Sequence, residues 1–206
     1  VFVEAKELEA AEDSRLVQEF LDGDTRAFEA LVRRHQNRVY GFSLRLLGSP
    51  SLAEEAAQDV LVKVYKNLHR FRGESKFTTW LYRVTLNHCR NVQAYRARRH
   101  EKRHDSLDAG REDDEGGVQK RELPDGGPDA EDTLLTTERL RLVQEELARL
   151  DPLWREILVL RDVEGMSYDE IGTALELSPG TVKSRIHRAR AQLKGRLDRR
   201  LRGERD

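Results

Sequence analysis

The side chains best arranged for chemistry are Thr181, Lys183, Ser184, Arg185, His187 and Arg188, within the run LSPGTVKSRIHRARAQL. Val182, Ile186, Ala189 and Leu193 recur at spacings of four, three and four, which is one face of an α-helix. Ser184, His187, Arg188 and Ala191 fall on the opposite face, with Lys183 beside them. Short polar and cationic side chains near the start of such a helix suit base edges and phosphates in a major groove. Ser184, His187 and Arg188 are expected to face bases, and Thr181, Lys183, Arg185 and Arg190 to lie closer to phosphates. The plainer alternative is an amphipathic hairpin whose charges only keep it dissolved. Upstream, SYDEIGTALEL supplies Ile171, Leu175 and Leu177 for a small core, and Gly172 for close approach of two helices. Ser178 is a good N-cap and Pro179 suits the first helical position, so the pair reads as a helix-turn-helix.

A second group lies nearer the N-terminus. If Phe77, Leu81, Val84 and His88 face inward, Trp80, Arg83, Asn87 and Asn91 share the adjacent flank. An indole to stack on, a guanidinium for phosphate and two carboxamides for base edges suit nucleobases. Phe71 and the loop from Arg72 to Lys76 stand just before, where they would close a pocket around an unstacked base. By themselves the aromatics read as ordinary core. The basic continuation Arg90, Arg96, Arg98, Arg99, Lys102 and Arg103 favours nucleic acid. On the helix before this one, Ala53, Ala57, Val60, Leu61, Val64 and Leu68 form an inward stripe, opposite Glu55, Gln58, Asp59, Val62 and Lys66. Val62 is an apolar residue on a polar, acidic face. A solvated helix often carries one such residue; a face that docks on a basic partner would also need one.

Catalysis has little to work with. The six histidines show no metal-ligand spacing with a cysteine or a carboxylate pair, and there is no glycine-rich phosphate loop. His104-Asp105 has the look of a metal-hydrolase dipeptide, but no partner histidine stands in helical register with it. No catalytic residue, metal or cofactor is expected. The single Cys89 excludes a disulfide within the chain.

Helices must hold these groups. Of 206 residues, 37% are hydrophobic and 36% charged, which favours two small helical domains over one large core. Helical spacing fills Asp24 to Leu47, Leu52 to Leu68 and Phe77 to about Ala97, after a short helix near Ser14 to Leu21, and no strand pattern stands out. The stretch from Asp105 to Asp132 is rich in Gly, Pro and acid and reads as a flexible linker. Helical pattern resumes near Thr133, and Asp151-Pro152 opens a further helix to about Asp162. The fold class expected is therefore all-α: residues 10–103 and 133–202 as two domains, joined by an acidic linker at 104–132, the second ending in the helix-turn-helix. The net charge of −1 hides two basic segments separated by an acidic one, as two contacts with a polyanion would require. No run is long enough for a membrane span and the N-terminus is acidic, so no membrane insertion and a cytoplasmic location are expected.

Taken in order, these runs resemble a bacterial RNA polymerase sigma factor of the extracytoplasmic-function group. AEEAAQDVLVKVY and FRGESKFTTWLYRVTLNHCRN look like parts of region 2, and PLWREILVLRDVEGMSYDEIG with LSPGTVKSRIHRARAQL like region 4. The resemblance spans about three quarters of the chain, leaving out the N-terminal tail, the linker and the last residues. It implies a promoter-specificity subunit with core RNA polymerase (clamp helices and flap) and promoter DNA as partners. By position, Glu55, Gln58, Asp59 and Val62 would dock on the polymerase. Phe71 and Asn87 would hold a flipped base of the −10 element, with Arg72 and Asn91 beside them, and Trp80 and Arg83 would support strand separation. Lys183, Ser184, His187 and Arg188, flanked by Thr181 and Arg185, would meet the −35 element. An anti-sigma factor, membrane-tethered in many members of the family, is the further partner implied. One departure stands out: Glu176 occupies the turn where the family often has Gly, and a left-handed conformation there costs about 1 kcal/mol more than with Gly. The alternative is a conventional dimeric helix-turn-helix regulator, which would need a dimerisation helix or an effector pocket that the first half does not clearly offer.

Overall fold

A computed structural model describes residues 2–104 and 140–203, with side chains from Glu7 to Arg99 and from Leu140 to Gly203. Every regular element among them is helical. The acidic segment assigned as a linker lies outside the described residues, apart from its first position.

Four helices build the first half: α1 (Phe2–Leu21), α2 (Thr25–Leu47), α3 (Pro50–Asn67) and α4 (Phe77–His104). Asp24 caps α2 by accepting from the Arg26 N–H, and Gly48 ends it in the left-handed region at φ 71°. Ser49 and Pro50 then start α3 at once, so α2 and α3 pack as antiparallel neighbours. The core holds Leu16 and Val17 of α1, Leu31 and Val39 of α2, Val60 and Val64 of α3, and Phe77 and Leu81 of α4.

α1 is a full twenty-residue helix rather than a short one starting near Ser14. Charge explains the difference. Glu9 and Glu12 pair with Arg38 and Arg34 of α2, and the buried Asp13 carboxylate lies 2.9 Å from His35 Nε2. Arg34 Nε lies 3.3 Å from the same Asp13 oxygen. Such cross-helix pairs leave no trace in apolar periodicity. α4 likewise continues past Ala97 to His104.

The second half holds α5 (140–148), α6 (Pro152–Leu158), α7 (Tyr168–Leu175) and α8 (Pro179–Leu201). Asp151 caps α6 through the Leu153 N–H, with Pro152 at the first position. α6 runs on into one π-helical turn, Val159–Val163, which the sequence did not signal. Ser167 and Glu170 form a reciprocal capping box at the start of α7, and Ser178 accepts from the Thr181 N–H at the start of α8.

The two halves share one core. Phe42, Leu46, Tyr82, Leu86 and Cys89 of the first pack in the same buried cluster as Ile157, Leu160, Met166, Ile171, Val182 and Ile186 of the second. This contact was not foreseen, although α4 hinted at it. Its buried positions form two stripes, Phe77–Leu81–His88 and Tyr82–Leu86–Cys89, where a helix with one covered face needs a single stripe.

Candidate nucleic-acid interface

The helix-turn-helix presents its predicted faces as the spacing required. Val182, Ile186 and Ala189 are buried, while Lys183, Ser184, His187 and Arg188 are exposed and Thr181 and Arg185 half-buried. The Ser184 hydroxyl donates to the Thr181 carbonyl oxygen at 3.0 Å, and the Thr181 hydroxyl lies 2.8 Å from that of Ser178. Lys183, Arg185, His187 and Arg188 form no ion pair among the described residues. Three arginines further along the helix are engaged. Arg190 pairs with Asp162, and Arg196 and Arg200 reach Glu146 and Glu145 of α5. Arg190, expected near phosphates, is thus already committed within the protein. Unneutralised charge is concentrated in the first half of α8, where a helix entering a groove makes its contacts.

The turn before α8 has the left-handed geometry anticipated at Glu176, with φ 57° and ψ 46°. It is the sole non-glycine residue with positive φ among those described. Gly172 faces it: a Cβ there would stand 2.7 Å from the Leu177 carbonyl oxygen, so α7 and the turn close on each other only with glycine. Replacing Glu176 by glycine should therefore stabilise the protein by about 0.5–1 kcal/mol, because relief of the left-handed strain exceeds the added chain entropy. Thermal unfolding is the check, and a lower melting temperature would contradict it.

In the first half, Phe71 and Trp80 lie together, ring centroids 5.5 Å apart, with Phe77 within about 6 Å of both. Phe71, Trp80 and Arg83 are half-buried; Arg72, Asn87 and Asn91 are exposed. Trp80, Arg83, Asn87 and Asn91 follow at helical spacing along one side of α4, so a platform of half-covered rings is continued by amides. Part of the basic continuation is diverted. Arg90 donates from Nε and Nη2 to Glu156 at 2.8 and 2.6 Å, which raises its pKa further.

On α3, Glu55, Gln58, Asp59 and Val62 are all exposed, Val62 at 52%. Tyr65, one turn on and 49% exposed, extends the apolar patch and rests on Phe20 and Phe28 at 5.5 and 5.0 Å. Sequence reasoning passed over Tyr65, although its spacing of three from Val62 was legible. Beneath this face Lys63 contacts His88 Nδ1, and Asp59 lies 3.5 Å from Nε2. Burial and the Lys63 charge together hold the His88 pKa below its ordinary value, against the pull of Asp59 and Glu55. The Cys89 thiol, pushed up to about 11 chiefly by burial, is a packing residue and not a nucleophile.

No group of three or more His, Cys, Asp or Glu able to hold a metal occurs among the described residues, and no described helix is long and apolar enough to cross a membrane. An acidic face with an exposed apolar residue, an aromatic and amide flank, and a helix with an outward cationic start are the features a DNA-engaging adaptor needs. Family models agree: residues 31–103 match sigma-70 region 2 and residues 140–193 match sigma-70 region 4.

The chain is 36% identical to the RNA polymerase sigma-H factor of Pseudomonas aeruginosa over 179 residues, covering 87% of this chain and 90% of the relative. It is 32% identical to the ECF RNA polymerase sigma-E factor of Haemophilus influenzae over 185 residues, covering 90% and 95%. The structure of CnrH in complex with the cytosolic domain of CnrY superposes with a TM-score of 0.61 at 27% identity, covering 91% of this chain and 97% of that one. The chain belongs to the extracytoplasmic-function sigma factors, promoter-specificity subunits of bacterial RNA polymerase that are not enzymes.

Proposed function

We propose that residues 10–103 dock on core polymerase and read and melt the −10 element, that 133–202 read the −35 element, and that 104–132 tether the two. Glu55, Gln58, Asp59 and Val62 meet the polymerase. Phe71, Arg72 and Asn87 hold an unstacked base, with Asn91 alongside and Trp80 and Arg83 against the separating strands. Ser184, His187 and Arg188 face bases of the −35 duplex, and Thr181, Lys183 and Arg185 its phosphates. The observation that supports this most strongly is the unpaired cationic start of α8, beside Arg190, Arg196 and Arg200, which pair with carboxylates of the protein itself.

Melting needs no ATP on this reading. Unstacking a base costs a few kcal/mol, offset by pocket contacts and by polymerase binding. Dividing the grip over a tether leaves each half weak alone and the pair strong once polymerase sets their separation. The protein acts in the cytoplasm and is controlled by an anti-sigma factor, as membership of the family implies; CnrH is likewise solved in complex with a protein partner, the cytosolic domain of CnrY.

Run-off transcription with core polymerase over a randomised promoter library tests this directly. Promoter-dependent transcripts are expected only with both proteins present, and weak duplex binding by the chain alone. Tight operator binding by a dimer of this chain would instead establish the conventional regulator.

A further inference from the structure

A cavity of about 420 Å³ lies where the start of α4 meets the π-helical turn and the start of α7, a volume within the range of small-molecule sites. α1 and α2 close its other side through Glu9, Ala10 and Arg38. None of the residues proposed to dock on polymerase or to contact DNA lines it.

Six charged side chains line the cavity, three of each sign. Its carboxylates are all engaged. Glu9 pairs with Arg38, and Glu170 lies 2.8 Å from Lys76 Nζ. Glu164 accepts from the Tyr82 hydroxyl and has Arg45, outside the wall, at 4.0 Å. Burial and the Glu164 charge hold the Tyr82 pKa above its ordinary value, so the phenol stays protonated as the donor. Arg161 differs from the other cations in forming no ion pair among the described residues. Its Nη1 donates to the Met166 carbonyl oxygen at 2.6 Å, and its guanidinium carbon lies 4.9 Å from the centroid of the Tyr168 ring. These contacts fix the plane of the guanidinium and leave most of its five N–H donors for another acceptor. Each carboxylate thus has a cation, and one positive charge is left over. α4 adds the partial charge of its N-terminus, where the first turn carries no acidic residue and Thr78 and Thr79 face the cavity.

The backbone is shaped around the same place. The π-helical turn Val159–Val163 holds more residues than an α-helical turn, a feature frequent at functional sites. It carries Arg161 and Val163 to the cavity wall. Gly165, left-handed at φ 65°, then turns the chain so that the Met166 carbonyl meets Arg161. Val163 and Met166 make the wall apolar beside this cation.

We propose that this cavity binds a small organic acid, a single carboxylate on a compact apolar body. The carboxylate pairs with the unused edge of the Arg161 fork, a planar match between the two groups, and lies toward the start of α4. The body lies along Val163, Met166 and the Tyr82 ring. One negative charge fits and several do not, because the carboxylates of the wall repel a second; nucleotides and other phosphate-rich ligands are excluded on that ground.

Titration calorimetry on the full chain tests this with octanoate and phenylacetate, an aliphatic and an aromatic body on the same head group. One-to-one binding of at least one is expected, with a dissociation constant between about 10 µM and 1 mM for about ten non-hydrogen atoms. Arg161→Gln should weaken it about tenfold or more, since a bond between two charged groups is lost. Val163→Trp, which fills the cavity with the protein's own side chain, should abolish binding while the far-ultraviolet circular dichroism stays that of the parent. Saturating acid should raise the melting temperature of the parent and leave that of Val163→Trp unchanged. Absence of saturable binding by both probes overturns the proposal. Acetate or inorganic phosphate binding as tightly as the probes also overturns it, because any exposed cation would then suffice. Binding that survives both substitutions places the acid elsewhere on the protein and removes the site.

Discussion

Replacing Arg155 by alanine is expected to destabilise the protein by about 3 kcal/mol, a large share of what a small helical protein has. Its guanidinium donates to the carbonyl oxygens of Leu147 at 3.1 Å, Leu46 at 2.5 Å and Leu150 at 3.0 Å, and to that of Ala148. Leu147 and Ala148 end α5, and Leu46 stands one residue before the end of α2. Helix ends leave carbonyls without partners, and one planar fork satisfies them on both sides of the junction. Burial lowers the pKa of this group, against Glu156 and Asp151, so part of the gain from these bonds is offset by desolvation. Hydrogen bonds to a charged donor contribute about 1.5–3 kcal/mol each but are far from additive, which sets the expected total near that of two. Lysine in its place keeps the charge without the fork and should lose about half as much. Urea unfolding of the two variants is the measurement; equal midpoints for the parent and Arg155→Ala would show that solvent replaces these bonds without loss.

Arg155 also marks where sequence reasoning ended. Elements whose information is local were legible: the capped starts at Asp151 and Ser178, the buried stripe of α8, and the strained turn at Glu176. Each depends on residues a few positions apart. The contacts joining the halves pair residues far apart in the chain, such as Arg90 with Glu156 and Arg155 with Leu46, and an arginine has the same appearance in sequence whether it meets a phosphate, a carboxylate or a helix end. Arg90 was therefore placed with the nucleic-acid cations. The candidate site was more legible than the junction because an exposed polar face is the complement of an apolar stripe, and the stripe is periodic. Val62 could be singled out by that complement, whereas the length of α1 depended on pairs such as Arg34–Glu12 and His35–Asp13 that no period encodes.

The same distinction separates two arginines on α8. Arg188→Ala is expected to weaken use of the −35 element by about 1–3 kcal/mol, read as a ten- to hundredfold loss of transcription at subsaturating holoenzyme. The side chain is exposed, forms no ion pair among the described residues and lies one position from His187 on the outward face. Loss of a base contact should also relax preference at one position of the −35 element while leaving the others as they were. Arg190→Ala is the matched comparison. Its guanidinium is held by the Asp162 carboxylate, which raises its pKa although the pair is largely exposed, so its removal should cost little stability and leave −35 preference unchanged. Promoter libraries transcribed by the two variants separate the roles. If Arg190→Ala alters base preference and Arg188→Ala does not, the outward face of α8 has been assigned to the wrong side. If both lower transcription uniformly and reduce the salt dependence, both act on phosphate and neither reads a base.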